Sequence, residues 1–176
     1  MGTLRTVPAL DHPELLAQPV VDALSAWPEY AGTVAVAEID PDLADTAAFC
    51  EAYQVGPDVS ANCVVVAGKR EGDIRYAACV VLATTRADVN GVVRRYLDVR
   101  KASFAPMDTA VAETNMEYGG ITPIGLPKSW PLLIDSRIVP IPNVIIGSGV
   151  RRSKIVLPGA ALAALPNAEV ITDLAK

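Results

Sequence analysis

Two apolar runs separated by a short polar turn constrain this chain more than any other feature. Residues 62–68 (NCVVVAG) and 74–84 (IRYAACVVLAT) are rich in β-branched residues and flank Lys69-Arg70-Glu71-Gly72-Asp73. Such a pair forms a β-hairpin, and the nearly continuous apolar character of both runs buries its strands. Shorter strands are expected at 33–39, ending at Asp40-Pro41, and at 102–105, 131–135, 143–146, 155–157 and 168–172. Between them, apolar spacing predicts a helix over 14–24 interrupted by Pro19, and one over 46–50 capped by Asp45. Further helices are expected from Asp88, from Asp108 through Thr114, and from Pro158.

A chain of 176 residues without an internal repeat or a long linker is one compact α/β domain, and its half-hydrophobic, aromatic-poor composition fits that class. No run of about 18 apolar residues exists, so no membrane span is expected. The first residues carry no apolar block resembling a secretion signal, and the expected location is the cytoplasm. Cys50, Cys63 and Cys79 are an odd number, widely spaced in apolar surroundings, which suits reduced core residues. His12 is the single histidine, so Ser-His and Cys-His catalysis and a Cys/His zinc site lack their parts; no metal and no cofactor are expected. The crowded acids Glu38, Asp40, Asp42 and Asp45 read as a solvated face and a helix cap.

Net charge is −5, against which Arg94, Arg95, Arg100 and Lys101 form one local basic cluster and Arg151, Arg152 and Lys154 another. Each is either solvated surface or a phosphate contact. Residues 116–127 (MEYGGITPIGLP) hold three glycines and two prolines, which excludes a helix interior or a central strand. This is a shaped loop, either a connecting turn or a pocket wall made of backbone amides. Gly147-Ser148-Gly149 follows an expected strand but lacks the third glycine of a dinucleotide fingerprint, and Lys154 lacks the glycine spacing of a phosphate loop. Both glycine segments adjoin short strands and could present amides to a carbonyl oxygen or oxyanion in one cavity.

The hairpin near residue 62, the segment Tyr118-Gly119-Gly120-Ile121-Thr122-Pro123-Ile124-Gly125, the strand ending in Asp135, and Gly147-Ser148-Gly149 followed by basic residues resemble, in that order, the YbaK-like aminoacyl-tRNA editing domain. This domain also occurs as the editing insert of bacterial prolyl-tRNA synthetases. The resemblance covers about residues 40–170. It implies a single compact domain with a mixed, curved β-sheet surrounded by helices, and divides the chain into an N-terminal helical extension (1–30) and an editing-type domain (31–176). It also implies hydrolysis, in trans, of the ester joining a wrong amino acid to the 3′ end of a tRNA. The partners implied are the tRNA acceptor end and an aminoacyl-tRNA synthetase; oligomeric state is not legible.

By the same resemblance Gly119, Gly120 and Pro123 wall the aminoacyl ester, Ile121 and Thr122 shape the side-chain pocket, and Gly125 belongs to that loop. Gly147, Ser148 and Gly149 form the second loop, and Asp135 matches a carboxylate position. The amides of Gly119, Gly120 and Gly149 are then the oxyanion donors, and Arg100, Lys101, Arg151, Arg152 and Lys154 hold the acceptor end. The family carries a lysine at the start of the first hairpin strand; here that place is Asn62. Asn62 can donate a hydrogen bond to the substrate carbonyl but brings no charge, a loss of roughly 100-fold or more in rate. Alternation puts Cys63 on the face opposite Asn62. Besides a deacylase, the substitution therefore leaves open a module that binds an aminoacyl group or tRNA end without turnover, and a protein acting on another small acyl ester.

Overall fold

In the computed structural model, which describes residues 2–176, the hairpin is the middle of a larger sheet. The strands are β1 (Val7–Pro8), β2 (Ala35–Glu38), β3 (Ala61–Arg70), β4 (Asp73–Leu82), β5 (Ala102–Phe104), β6 (Leu132–Asp135), β7 (Val144–Gly147), β8 (Ser153–Leu157) and β9 (Ala168–Ile171). The helices are α1 (Gln18–Ser25), α2 (Pro28–Ala31), α3 (Thr46–Tyr53), α4 (Arg94–Tyr96, continuing a π-helical turn at Val89–Val93), α5 (Met107–Thr114) and α6 (Gly159–Ala163). The strands form a five-stranded sheet, β5-β3-β4-β6-β9, and a four-stranded one, β1-β2-β8-β7. The larger is mixed: β3 is antiparallel to β4 and β5, whereas β4, β6 and β9 run parallel.

The hairpin turn is tighter than the composition suggests. Pairing continues to Arg70 opposite Asp73, leaving only Glu71 and Gly72 in the loop, both with positive φ. That is the geometry of a two-residue turn that follows the right-handed strand twist. Alternation along β4 then feeds two cores: Ala78 and Val80 join Ile134, Ile146 and Ile155 between the sheets, while Ala77, Cys79 and Val81 pack with Val89, Val93 and Leu97 on the outer face. Asp88 holds the start of that outer helix, accepting from the amides of Gly91 and Val92.

Pro19 sits in the first turn of α1, where its missing N–H costs nothing, so it opens the helix instead of kinking one that began at Glu14; residues 13–15 form a separate 3₁₀ turn. Val20 and Leu24 of α1 are fully buried in the inter-sheet core, and β1 pairs with β2, so residues before 31 share the core of the rest. β1 and α2 lie outside the expected elements, being too short to show a period. Asp40 caps the turn at Pro41–Leu43 through Asp42 N. No helix of the described residues is long and apolar enough to cross a membrane.

Among the described residues, one backbone bridge links the two sheets. Ser60, just before β3, bridges Ile145 of β7 in parallel, and Ile145 N donates to Val59 O at 2.8 Å. The pairing stops there, and a cleft opens beyond it.

Candidate functional site

A cavity of about 510 Å³ occupies this cleft, within the usual range for small-molecule sites. Ala61–Val65 of β3 form one wall and Ile145–Gly147 of β7 another; Ala44–Thr46 and Phe49 of α3 close one side, and Tyr118, Gly119 and Ile121 of the glycine loop the other. Residues 115–131 form no helix or strand, so the glycine-proline stretch is the shaped loop its composition implies.

Loop and strand touch closely enough to demand glycine. A Cβ on Gly147 would stand 2.4 Å from Gly120 O and 2.8 Å from Ile121 O, and one on Gly120 would stand 2.7 Å from Val150 backbone atoms. Gly149 N donates to Gly120 O at 2.7 Å, and Gly120 N to Glu117 O at 2.9 Å. Those two amides, expected as oxyanion donors, are therefore already engaged. Gly149 also lies away from the cavity, against Ala17, Val20 and Met116. Among the described residues, the Gly119 N–H donates to no acceptor.

Asn62 borders the cavity with its side chain oriented by α3: Thr46 Oγ1 donates to Asn62 Oδ1 at 2.6 Å. With its oxygen so occupied, Asn62 offers its two N–H groups to a ligand. Asp45 takes the cap position of α3, but its carboxylate makes no cap bond, and of that helix start Asp45 and Thr46 border the cavity. Cys63 was expected on the opposite face, yet it too borders the cavity, because the cleft exposes consecutive residues of β3. Burial, with Cys79 adding, pushes its thiol far up, which leaves it protonated and not a nucleophile.

Lys154 departs most from expectation. A phosphate contact must be exposed, but Lys154 is only 8% exposed. It stands within β8, paired with Gly147 of β7, so its side chain and the glycine loop lie on one face. Its Nζ donates to Ala44 O at 2.8 Å and lies 5.3 Å from the Phe49 ring centroid, and the residue borders the cavity. No carboxylate among the described residues pairs with it. Burial lowers its pKa, Arg151 adds to that, and Asp45 and Cys50 partly oppose it.

The other expected site residues divide between wall and scaffold. Gly119, Ile121 and Gly147 border the cavity. Thr122 and Pro123 are buried but do not border it, and the Thr122 hydroxyl has no partner among the described residues. Gly125, with φ +84°, packs on Pro19 O. Ser148 is fully buried, donating to Val150 O and Ser153 O. Asp135, expected at the substrate, is 1% exposed and instead accepts from Arg137 N, Nε and Nη2 and from Ala175 N, tying the C-terminal segment to β6. Arg151 bonds Tyr118 O and Pro41 O, strapping the glycine loop to the turn before α3, and Arg152 donates to Glu14 O. Arg100 and Lys101 are exposed.

The mouth carries a feature the residue types did not announce: Phe104, Met107 and Tyr118 all border it while 59%, 52% and 57% exposed. Thr46 and Phe49 were also missed; the only signal was their place just after the Asp45 cap. No group of three or more His, Cys, Asp or Glu among the described residues is arranged to hold a metal ion.

A family model described as the aminoacyl-tRNA editing domain matches residues 40–165. Among solved structures, one of a candidate trans-editing enzyme for prolyl tRNA synthetase superposes with a TM-score of 0.73 at 21% identity, covering 89% of this chain and 94% of that one. A second, of a hypothetical protein, gives 0.74 at 17% identity over 88% and 99% of the two chains. At these identities the likeness is one of fold.

Proposed function

The chain belongs to the aminoacyl-tRNA editing domain family, and from that premise we propose that it is a trans-acting deacylase of mischarged tRNA. Membership carries a role in aminoacyl-tRNA editing; the hydrolysis is our reading. The observation that carries it is the cavity itself, where Asn62, oriented by Thr46, faces the loop of Gly119 and Ile121 across a mostly apolar space.

An aminoacyl ester is reactive enough that orienting a water and offering donors to the developing oxyanion accelerates its hydrolysis without a triad. Water adds to the acyl carbon and the bond to the ribose oxygen breaks. The ribose oxygen departs and takes up the proton that the attacking water gives up, leaving a free amino acid and an intact tRNA end. Asn62 N–H and the Gly119 amide are the neutral donors for the carbonyl. Ala61, Val65, Ala110, Ile121 and Ile146 offer an apolar side-chain pocket, which discriminates by size and only modestly per methylene. Phe104 and Tyr118 at the mouth suit stacking of the terminal base, and exposed Arg100 and Lys101, just before β5, suit its phosphates.

The second reading, a binding module without turnover, is favoured by one observation: Asn62 stands where the family has lysine. A panel of aminoacyl-tRNAs incubated with purified protein separates the two. Deacylation of at least one mischarged species above the spontaneous rate supports the enzyme. Salt-dependent binding with no deacylation of any species would leave the binding module.

A further inference from the structure

A lysine placed inside a protein without a carboxylate partner needs a reason, because desolvating an ammonium is costly and one carbonyl hydrogen bond repays only part of it. Lys154 is such a residue. Its Nζ has three donor hydrogens, and Ala44 O takes one. Asp45, whose charge acts on it, has a largely exposed side chain that lies 3.9 Å from Arg151. The ammonium therefore has donors to spare beside a cavity, next to the uncapped start of α3, whose N–H groups add positive potential. Opposite stands Asn62, the neutral residue at the position where a cation was expected.

We propose that Lys154 is the cation of this site: it reaches from β8 to the carbonyl oxygen of the bound acyl group and stabilises the oxyanion that forms there, the charge that Asn62 on β3 cannot supply. The register supports the placement. Two residues beyond the Ser60–Ile145 bridge come Asn62 on one strand and Gly147 on the other, and Gly147 pairs with Lys154. With neighbouring strands about 4.8 Å apart, Lys154 stands one spacing from Gly147 and two from β3, and both it and Asn62 border the cavity. Gly147, lacking a side chain, lets the backbone of the glycine loop close over β7 on that face, and Gly119, Ile121, Asn62 and Lys154 border the one cavity beside it. The chemistry is ester hydrolysis: as water adds to the carbonyl carbon, negative charge gathers on the oxygen held by Nζ, and it collapses as the bond from the acyl carbon to the ribose oxygen breaks. Nζ keeps its proton throughout.

This inference takes its substrate from the deacylase reading, so the test has an arm independent of turnover. In the first arm, wild type, Lys154→Met and Lys154→Arg are assayed on whichever mischarged tRNA the wild type hydrolyses. The expected result is a kcat for Lys154→Met lower by about 100-fold or more, with a smaller change in KM and an unfolding midpoint no lower than that of the wild type. Such a split excludes a purely structural role. The background-corrected wild-type rate should fall at alkaline pH as the ammonium, its pKa lowered chiefly by burial and further by Arg151 against Asp45 and Cys50, loses its proton. Lys154→Arg should move that fall to higher pH. A kcat for Lys154→Met within twofold of wild type overturns the inference.

The second arm measures binding of 3′-deoxy-3′-(L-alanylamino)adenosine, a non-hydrolysable amide probe with a small side chain suited to the apolar lining. Affinity should drop at least tenfold in Lys154→Met. Equal affinity for both proteins, or no binding to wild type, overturns the inference. If no tRNA is hydrolysed but probe affinity depends on Lys154, the deacylase reading fails while Lys154 as the carbonyl-binding cation stands.

Discussion

Replacing Gly147 by alanine tests the contact that shapes the cavity, because it adds one methyl group where strand β7 meets the glycine loop. The new Cβ would lie 2.4 Å from Gly120 O and 2.8 Å from Ile121 O. Both are backbone atoms, so no side chain can swing away; the loop must withdraw by about 1 Å to reach ordinary contact. That movement stretches the 2.7 Å bond from Gly149 N to Gly120 O. Overpacking of this kind costs about 1–3 kcal/mol, and a weakened hydrogen bond about 0.5–1.5 kcal/mol more. The expected loss is about 1.5–4.5 kcal/mol, or about 3–18 °C in Tm for a chain of this length. Urea denaturation followed by circular dichroism, with unchanged slope, reads it. Gly32→Ala is the control: nothing lies within 4 Å of its added Cβ and its φ is −67°, so it should be neutral or stabilising by up to about 1 kcal/mol. A Gly147→Ala midpoint within about 0.5 kcal/mol of wild type would refute the account of how loop and strand pack.

Other outcomes follow from single contacts. Burial pushes Asp135 up, but hydrogen bonds from the Arg137 side chain and backbone, its charge, and Ala175 N outweigh burial and hold the carboxyl below its ordinary value. A depressed pKa gives stability that is present above the unfolded value of about 3.9 and lost as pH falls through the folded one. Wild type should therefore lose stability below about pH 4. Asp135→Asn, weaker by about 2–4 kcal/mol at neutral pH, should show a shallower acid limb in urea titrations from pH 7 to 2.5; an unchanged limb would remove Asp135 as its source. Thr122→Val removes a buried hydroxyl without a partner and should raise the unfolding midpoint by about 1 kcal/mol; a drop would mean the hydroxyl is satisfied. Asn62→Lys places an ammonium beside Thr46 Oγ1, where asparagine now accepts a 2.6 Å bond, and should change kcat on a hydrolysed tRNA by tenfold or more. An unchanged rate would move the carbonyl-binding position off Asn62. Arg100→Ala and Lys101→Ala should each weaken tRNA binding and lower the slope of log K against log salt by about one; unchanged slopes would place the phosphates elsewhere.

How far the sequence spoke for the structure depended on whether a property was local. The hairpin was legible because two long β-branched runs need no partner to declare themselves, and the glycine loop because three glycines and two prolines admit nothing regular. That two glycine segments adjoining short strands could meet at one cavity was legible from their positions and strengthened by the family resemblance; the reason for it, Gly120 O lying where a Gly147 side chain would stand, is a long-range contact. Lys154 shows the opposite case. Read beside Arg151, Arg152 and Ser153 it looks like part of a basic surface, and the strand was expected to begin at Ile155. β8 in fact begins at Ser153, and its neighbours bury every residue of it. Asp135 likewise reads in the sequence only as a carboxylate at a strand end, because Arg137 and Ala175 become its partners only when the C-terminus returns to β6.

The most direct measurement of the central claim is single-turnover hydrolysis by the wild-type protein of tRNAs mischarged with small apolar amino acids, following free amino acid and intact tRNA together. For at least one species, release should be faster than in buffer alone and should saturate with protein concentration. Time courses superimposable on buffer across the whole panel would contradict it.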